Sequence, residues 1–155
     1  MAYLEQEVLF KFELAGVSKF FKKKNNGRHS DRFWCRGLQW SIYVSCNLKN
    51  DLSKHLGFYL WCHNDQMSNW SCTVHCKFIL FSLNDSDDSD DSDYSDDESE
   101  NLDDELDYTF EKEGAEGYEY FISYSELTDE KNGYIENDKI MLGVELKAEL
   151  VIRKD

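Results

Sequence analysis

Leu38-Gln39-Trp40-Ser41-Ile42-Tyr43-Val44-Ser45 decides the fold class, because its apolar residues fall on even positions while odd positions carry Gln, Ser and Tyr. Period-two alternation marks a strand with one buried face. The pattern repeats outward along the chain. Phe10, Phe12 and Leu14 alternate with Lys11 and Glu13, and Leu56, Phe58, Leu60 and Cys62 alternate with His55, Gly57, Tyr59, Trp61 and His63. Near the end, Ile140, Leu142, Val144 and Leu146 alternate with Lys139, Met141, Glu145 and Lys147. A further strand is expected from Trp70 to Leu83, apolar on both parities over Phe78 to Phe81, as in a strand covered on each side. Polar turn signals at Asn25-Asn26-Gly27, at residues 47–51 and 63–69, and at Asn132-Gly133 divide these runs. The chain has no proline, which leaves its turns to Gly and Asn. Short strands so divided predict an antiparallel sandwich or barrel, with one short helix from Ser123 to Asp129 stopped by Lys131-Asn132-Gly133. The lack of βαβ alternation argues against a nucleotide-binding α/β fold.

A chain of 155 residues accommodates one domain, and 41% hydrophobic with 15% aromatic residues suffices for its core. The net charge of -15 is concentrated in one place. Residues 85–107 hold 14 of the 32 acidic residues and no basic ones, leaving 18 acidic against 17 basic residues elsewhere, a net of -1. Like charges at this density repel and offer nothing apolar to bury, so an Asp/Ser-rich loop from Asp85 to Asp107 is expected to stay solvated. Serine recurs there every third residue, and Ser86, Ser89, Ser92 and Ser95 lie in the acidic context of candidate phosphorylation sites. The nearly neutral remainder argues against nucleic acid or an anionic membrane as partner. A cluster of Lys and Arg between Lys19 and Arg36 reads as a solvated basic loop.

No run approaches the ~20 apolar residues of a membrane span, and Glu5 and Glu7 stand where a signal peptide needs basic charge. The expected compartment is the cytoplasm, with the nucleus as the alternative. Five cysteines, an odd number lying in or beside apolar strand-like runs, read as reduced core thiols. In Cys72-Thr73-Val74-His75-Cys76 the two thiols of a strand would be about 13 Å apart with His75 facing away, so no metal or other cofactor is expected. The acidic loop lacks the Asp-x-Asp-x-Asp-Gly turn of a calcium site. Four scattered histidines and the absence of GxSxG, HExxH or a Gly-rich phosphate loop argue against an enzyme.

In this strand order, Phe12-Glu13-Leu14 and Val17-Ser18 are followed by Leu38 to Val44, by His55 to Leu60 and by the Trp70 strand. The closing pattern is Gly117-Tyr118-Glu119-Tyr120-Phe121-Ile122 with Leu127, Asn132-Gly133-Tyr134 and Asn137-Asp138-Lys139-Ile140. Together these resemble the MATH (meprin and TRAF homology) family, and are similar to the substrate-binding domain of speckle-type POZ proteins and to nematode MATH proteins. The resemblance implies an all-β, eight-stranded antiparallel sandwich spanning residues 5–152, interrupted by the acidic loop. It further implies a non-enzymatic module that binds a short linear motif of a partner protein in an aromatic groove. Carried over position by position, that groove falls on Tyr59, Phe78, Tyr108, Gly117 and Tyr118. At Glu116 the family's tryptophan is replaced by a carboxylate.

Larger relatives join the module to domains that deliver clients to ubiquitin ligases. A stand-alone, monomeric recognition protein or competitor within the ubiquitin pathway is therefore expected here. The competing expectation is an acidic chaperone-like or cation-buffering protein working through Asp85 to Asp107. Parity alone adds that Tyr59 faces outward with Trp61 and His63.

Overall fold

The computed structural model describes residues 6–23, 26–50, 52–64, 70–83 and 101–152. Its strands are β1 (Gln6–Ala15), β2 (Gly27–His29), β3 (Phe33–Cys35), β4 (Leu38–Lys49), β5 (Ser53–His63), β6 (Trp70–Leu80), β7 (Leu102–Phe110), β8 (Gly114–Ser123) and β9 (Lys139–Ile152). One antiparallel sheet has the order β1-β9-β6-β7, and the other runs β2-β4-β5-β8 with β3 also on β4.

Both β2 and β3 line the same edge of β4. The pairing Gly27↔Ser45 to His29↔Tyr43 continues one residue out of step as Phe33↔Trp40 to Cys35↔Leu38. They form one interrupted edge strand, and the architecture is a sandwich of four strands on four. The turn from β3 to β4 sits on Arg36 and Gly37, both at positive φ, the backbone of a type I′ hairpin.

Alternation sorts the core as expected. Leu14, Trp40, Ile42, Val44, Leu56, Phe58, Leu60, Cys62, Leu142, Val144 and Leu146 are fully buried between the sheets. Burying each such side chain contributes about 1.5–3 kcal/mol. One lateral side of the sandwich is closed by Phe10 of β1 stacked on Phe33 of β3, ring centroids 4.3 Å apart.

Two short helices plug the ends. Helix α2 (Tyr124–Leu127) lies within the predicted span, its first turn capped by the Ser123 hydroxyl accepting from the Glu126 amide. Helix α1 (Val17–Phe20) has no counterpart in the sequence reading. Four residues are too few to show a helical period, and this turn is held from outside: Val17 N–H donates to the Asp138 carbonyl, and the Asp138 carboxylate accepts from the Ser18 amide and hydroxyl. Among the described residues, no helix is long and apolar enough to cross a membrane.

The acidic loop requires a correction at its far boundary. Leu102 to Asp107, expected as loop, belong to β7, paired along β6 from Leu80↔Leu102 to Cys72↔Phe110. Leu102, Leu106 and Phe110 turn toward the core, while the outward acids meet partners across the strand, with Glu105 opposite Lys77 and Asp107 opposite His75. His75 places one ring nitrogen against each of those carboxylates. Cross-strand charge complementarity thus offsets the repulsion that favours a loop. The Asn101 side chain accepts from the Ser82 amide at 2.8 Å, pinning the two flanks side by side. Ser86, Ser89, Ser92 and Ser95 fall in residues 84–100, outside the described residues.

Candidate functional site

The second lateral side of the sandwich is different, for there the free edges of β7 and β8 face one another. The chain passes from one sheet to the other through residues 111–113. Inside this arch is a cleft of about 480 Å³ lined by residues 108–116. Phe110 anchors it: the ring is buried and meets Trp40 edge-on, centroids 5.5 Å apart. Tyr108 stands over Phe110 at 4.8 Å, also edge-on, and remains 39% exposed. These two rings supply the aromatic wall.

Glu116 lines the opposite wall, on β8. It pairs with Leu60 of β5, and so takes the parity of a core residue while lying on the edge strand of its sheet. Tyr118, two residues on, pairs with Phe58 and shares that inward parity. Its ring abuts Phe78 edge-on at 5.5 Å, and its hydroxyl donates to the Glu105 carbonyl on β7. Burial, with Asp104 next in strength, raises the Tyr118 hydroxyl pKa, so it stays a protonated donor. Tyr118 therefore closes the gap between the two sheets beyond the cleft.

Gly117 pairs with Tyr59, and a Cβ there would collide with the Phe58 carbonyl and the Tyr59 backbone. The backbones approach this closely next to a register shift between Leu56 and Phe58, where β8 carries extra residues. Only glycine fits.

Two expectations for the groove are corrected. Phe78 does not line an open surface: it is fully buried, packed edge-on between Phe58 and Tyr118, and supports Tyr118 from behind. The three tyrosines also do not project from one outer face. Tyr59 points outward, as its parity predicts, whereas Tyr118 turns inward because its register partner is Phe58 rather than Tyr59. Tyr108 belongs to the other sheet altogether. The structure brings Tyr108 and Glu116 together in the cleft, sets Tyr118 beyond them, and leaves Tyr59 on the far side of Gly117.

Tyr59 instead joins a row on the outer face of the sheet. Its ring lies 6.0 Å from Tyr43, which is 5.5 Å from Trp61 and 4.6 Å from His29. Trp61 stacks on His63 with centroids 5.9 Å apart. Beneath them the Ser41 hydroxyl lies 2.8 Å from His63 Nε2 and 3.2 Å from His29 Nδ1. Ser41 is fully buried, so the contact supports the rings and offers no nucleophile to a substrate. Burial, then Arg32 and His29, press the His63 pKa down to about 4. The row was legible only in part, since Tyr43 and His29 come from strands whose alignment with β5 the sequence does not state.

Among the described residues, no group of three or more His, Cys, Asp or Glu side chains is placed to hold a metal ion. Cys72 and Cys76 point into the core and His75 points out. All five thiols are free and buried.

The family model described as MATH domain matches residues 9–146, most of the chain and the whole of this site. Among solved structures the fold is similar to TRAF5 of Notothenia coriiceps, at 15% identity and a TM-score of 0.52, with 96% of this chain and 74% of that chain covered. At that identity the likeness speaks for the fold.

Proposed function

The chain belongs to the MATH domain family, and from that premise we propose that it holds an extended segment of a partner protein along the cleft between β7 and β8. MATH domains are protein-interaction modules, and this chain has the parts such a task needs. The observation that carries the reading is the pair of facing edge strands with Tyr108 and Phe110 between them. An edge strand offers unpaired backbone N–H and C=O groups to a guest strand, and the rings offer contact area at small entropy cost. Tyr108, Glu116 and Tyr118 would meet the guest's side chains, Gly117 holds β8 close against β5 beneath it, and Tyr59 would reach it only around the β8 edge. The role is recognition without chemistry. A link to client selection in the ubiquitin pathway rests on the speckle-type resemblance alone.

The test is a titration of the isotope-labelled chain with a library of capped extended decapeptides, read by amide chemical shifts. Binders should perturb Thr109, Gly114, Ala115 and Gly117, and Tyr108→Ala should weaken them roughly tenfold or more, as for a hot-spot ring. Perturbations confined to the outer row around Tyr43 and Trp61, or equal affinity of wild type and Tyr108→Ala, would overturn the placement.

A further inference from the structure

Resting on that reading, we infer that the segment held between β7 and β8 is cationic, with a Lys or Arg side chain seated between Tyr108 and Glu116. The charge balance around the cleft is local to it. On the outer face of the β1-β9-β6-β7 sheet, Glu105 and Glu145 both lie across from Lys77, and the His75 ring contacts Glu105 and Asp107. Around the cleft that matching stops. Glu111 and Glu116 line it and form no ion pair with a described residue, and Lys112 is the one cation among the lining residues. Among the described residues Glu113 has His63, 4.0 Å away, as its ion-pair partner, and burial keeps that imidazole neutral above a pKa of about 4, so it supplies no charge at neutral pH. Among the lining residues three carboxylates, Glu111, Glu113 and Glu116, stand against that single lysine.

Such a site selects by sign. A guest with carboxylates or phosphates would add like charge to a partly enclosed space, which disfavours the wrong partner. A guest ammonium or guanidinium would gain a charge-assisted bond to Glu116 and the face of the Tyr108 ring, two interactions that reinforce one another when water is displaced. Tyr108 on β7 and Glu116 on β8 line the one cleft from different sheets, and a long cationic side chain can lay its apolar stem on the ring and direct its charged head to the carboxylate. Alternation along an extended guest then places the basic residues at every second position.

The experiment uses three capped decapeptides, alternating Lys-Thr, Ser-Thr and Glu-Thr, added to the labelled full chain and to a second full-length form whose ten acids in residues 85–100 are changed to Asn and Gln. The Lys-Thr peptide should shift Gly114, Ala115 and Gly117 in both forms, with at least tenfold higher affinity than the Glu-Thr peptide and weakening as salt is raised. Glu116→Gln should cost it roughly tenfold, about 1.4 kcal/mol, and Glu116→Lys should reverse the order of the Lys-Thr and Glu-Thr peptides. Ser-Thr or Glu-Thr binding the cleft as well as Lys-Thr would overturn the charge assignment and leave peptide recognition standing. Lys-Thr binding that vanishes in the acid-neutralised form, or shifts that avoid the cleft, would assign cation attraction to residues 85–100 and overturn the inference. No cleft shift with any of the three would overturn this inference, and none with the wider library would overturn peptide recognition too.

Discussion

The Tyr118 hydroxyl donates to the backbone carbonyl of Glu105, joining the edge strand of one sheet to the edge strand of the other. On the opposite side of the sandwich the sheets meet through apolar stacking of Phe10 on Phe33. On this side the phenol adds a hydrogen bond to the edge-on ring contacts of Phe110 with Trp40 and of Tyr118 with Phe78. Tyr118→Phe keeps the ring against Phe78 and leaves the Glu105 carbonyl without this donor. It should cost about 1 kcal/mol of folding stability, or roughly 2–4 °C in Tm. Thermal melts should show this with an unchanged strand signature; an unaltered melt would mean that water replaces the phenol at no cost.

At Gly117 the close approach of β8 to Phe58 and Tyr59 leaves no room for a methyl group. Gly117→Ala should destabilise the chain by about 1–3 kcal/mol through overpacking against backbone that cannot yield. Denaturant unfolding measures the loss. Amide shifts of the variant should move most along β8 and β5, and a cost below about 0.5 kcal/mol would mean that the two strands separate easily here.

Stability should fall on mild acidification. The folded-state pKa of His63, about 4, lies below the ordinary 6.5, and His29 is displaced in the same direction by burial and Arg32. Between those two pH values the unfolded chain binds more protons than the folded one, so stability rises with pH. The contribution is fully present above pH 6.5 and is lost as pH falls toward 4, up to about 3 kcal/mol for His63, whose side chain is only 9% exposed. His63→Gln should flatten this part of a denaturation-versus-pH curve. An equally steep curve in the variant would place the proton uptake elsewhere.

The thiols should be inert in the folded state. Burial pushes Cys35 up to about 11 and Cys62 and Cys72 up to about 12, and raises Cys46 and Cys76 as well. Since the thiolate is the nucleophile, a disulfide-exchange reagent at pH 8 should react with Cys35 roughly a hundredfold, and with Cys62 and Cys72 roughly a thousandfold, more slowly than with free cysteine. All five should react once denaturant is added. Rapid modification of any one under native conditions would locate a stretch of strand that opens readily.

Most of the layer assignment was present in the alternation of apolar residues, because a sheet with one buried face imposes its period directly on the chain. That is why Trp40, Ile42 and Val44, or Leu56, Phe58 and Leu60, could be placed inward before any coordinates. Charge density misled at β7: six residues from Leu102 to Asp107 read as solvated loop, although Leu102 and Leu106 kept the inward parity and the Lys77 and His75 side chains that face the acids lay on β6. The α1 turn escaped because its cap is Asp138, on the far side of the sequence.

The sequence by itself determined which residues of the alternating runs face inward, that the body is all-β, and which family the chain resembles, since these follow from local period and residue type. Only the tertiary structure decided which tyrosines share a surface. Pairing with β5 sets Tyr118 opposite the buried Phe58 and so inward, while Tyr59 stays outside and Phe78 disappears into the core. Register is a relation between strands distant in sequence, fixed by backbone hydrogen bonds that leave no periodic trace in either strand alone.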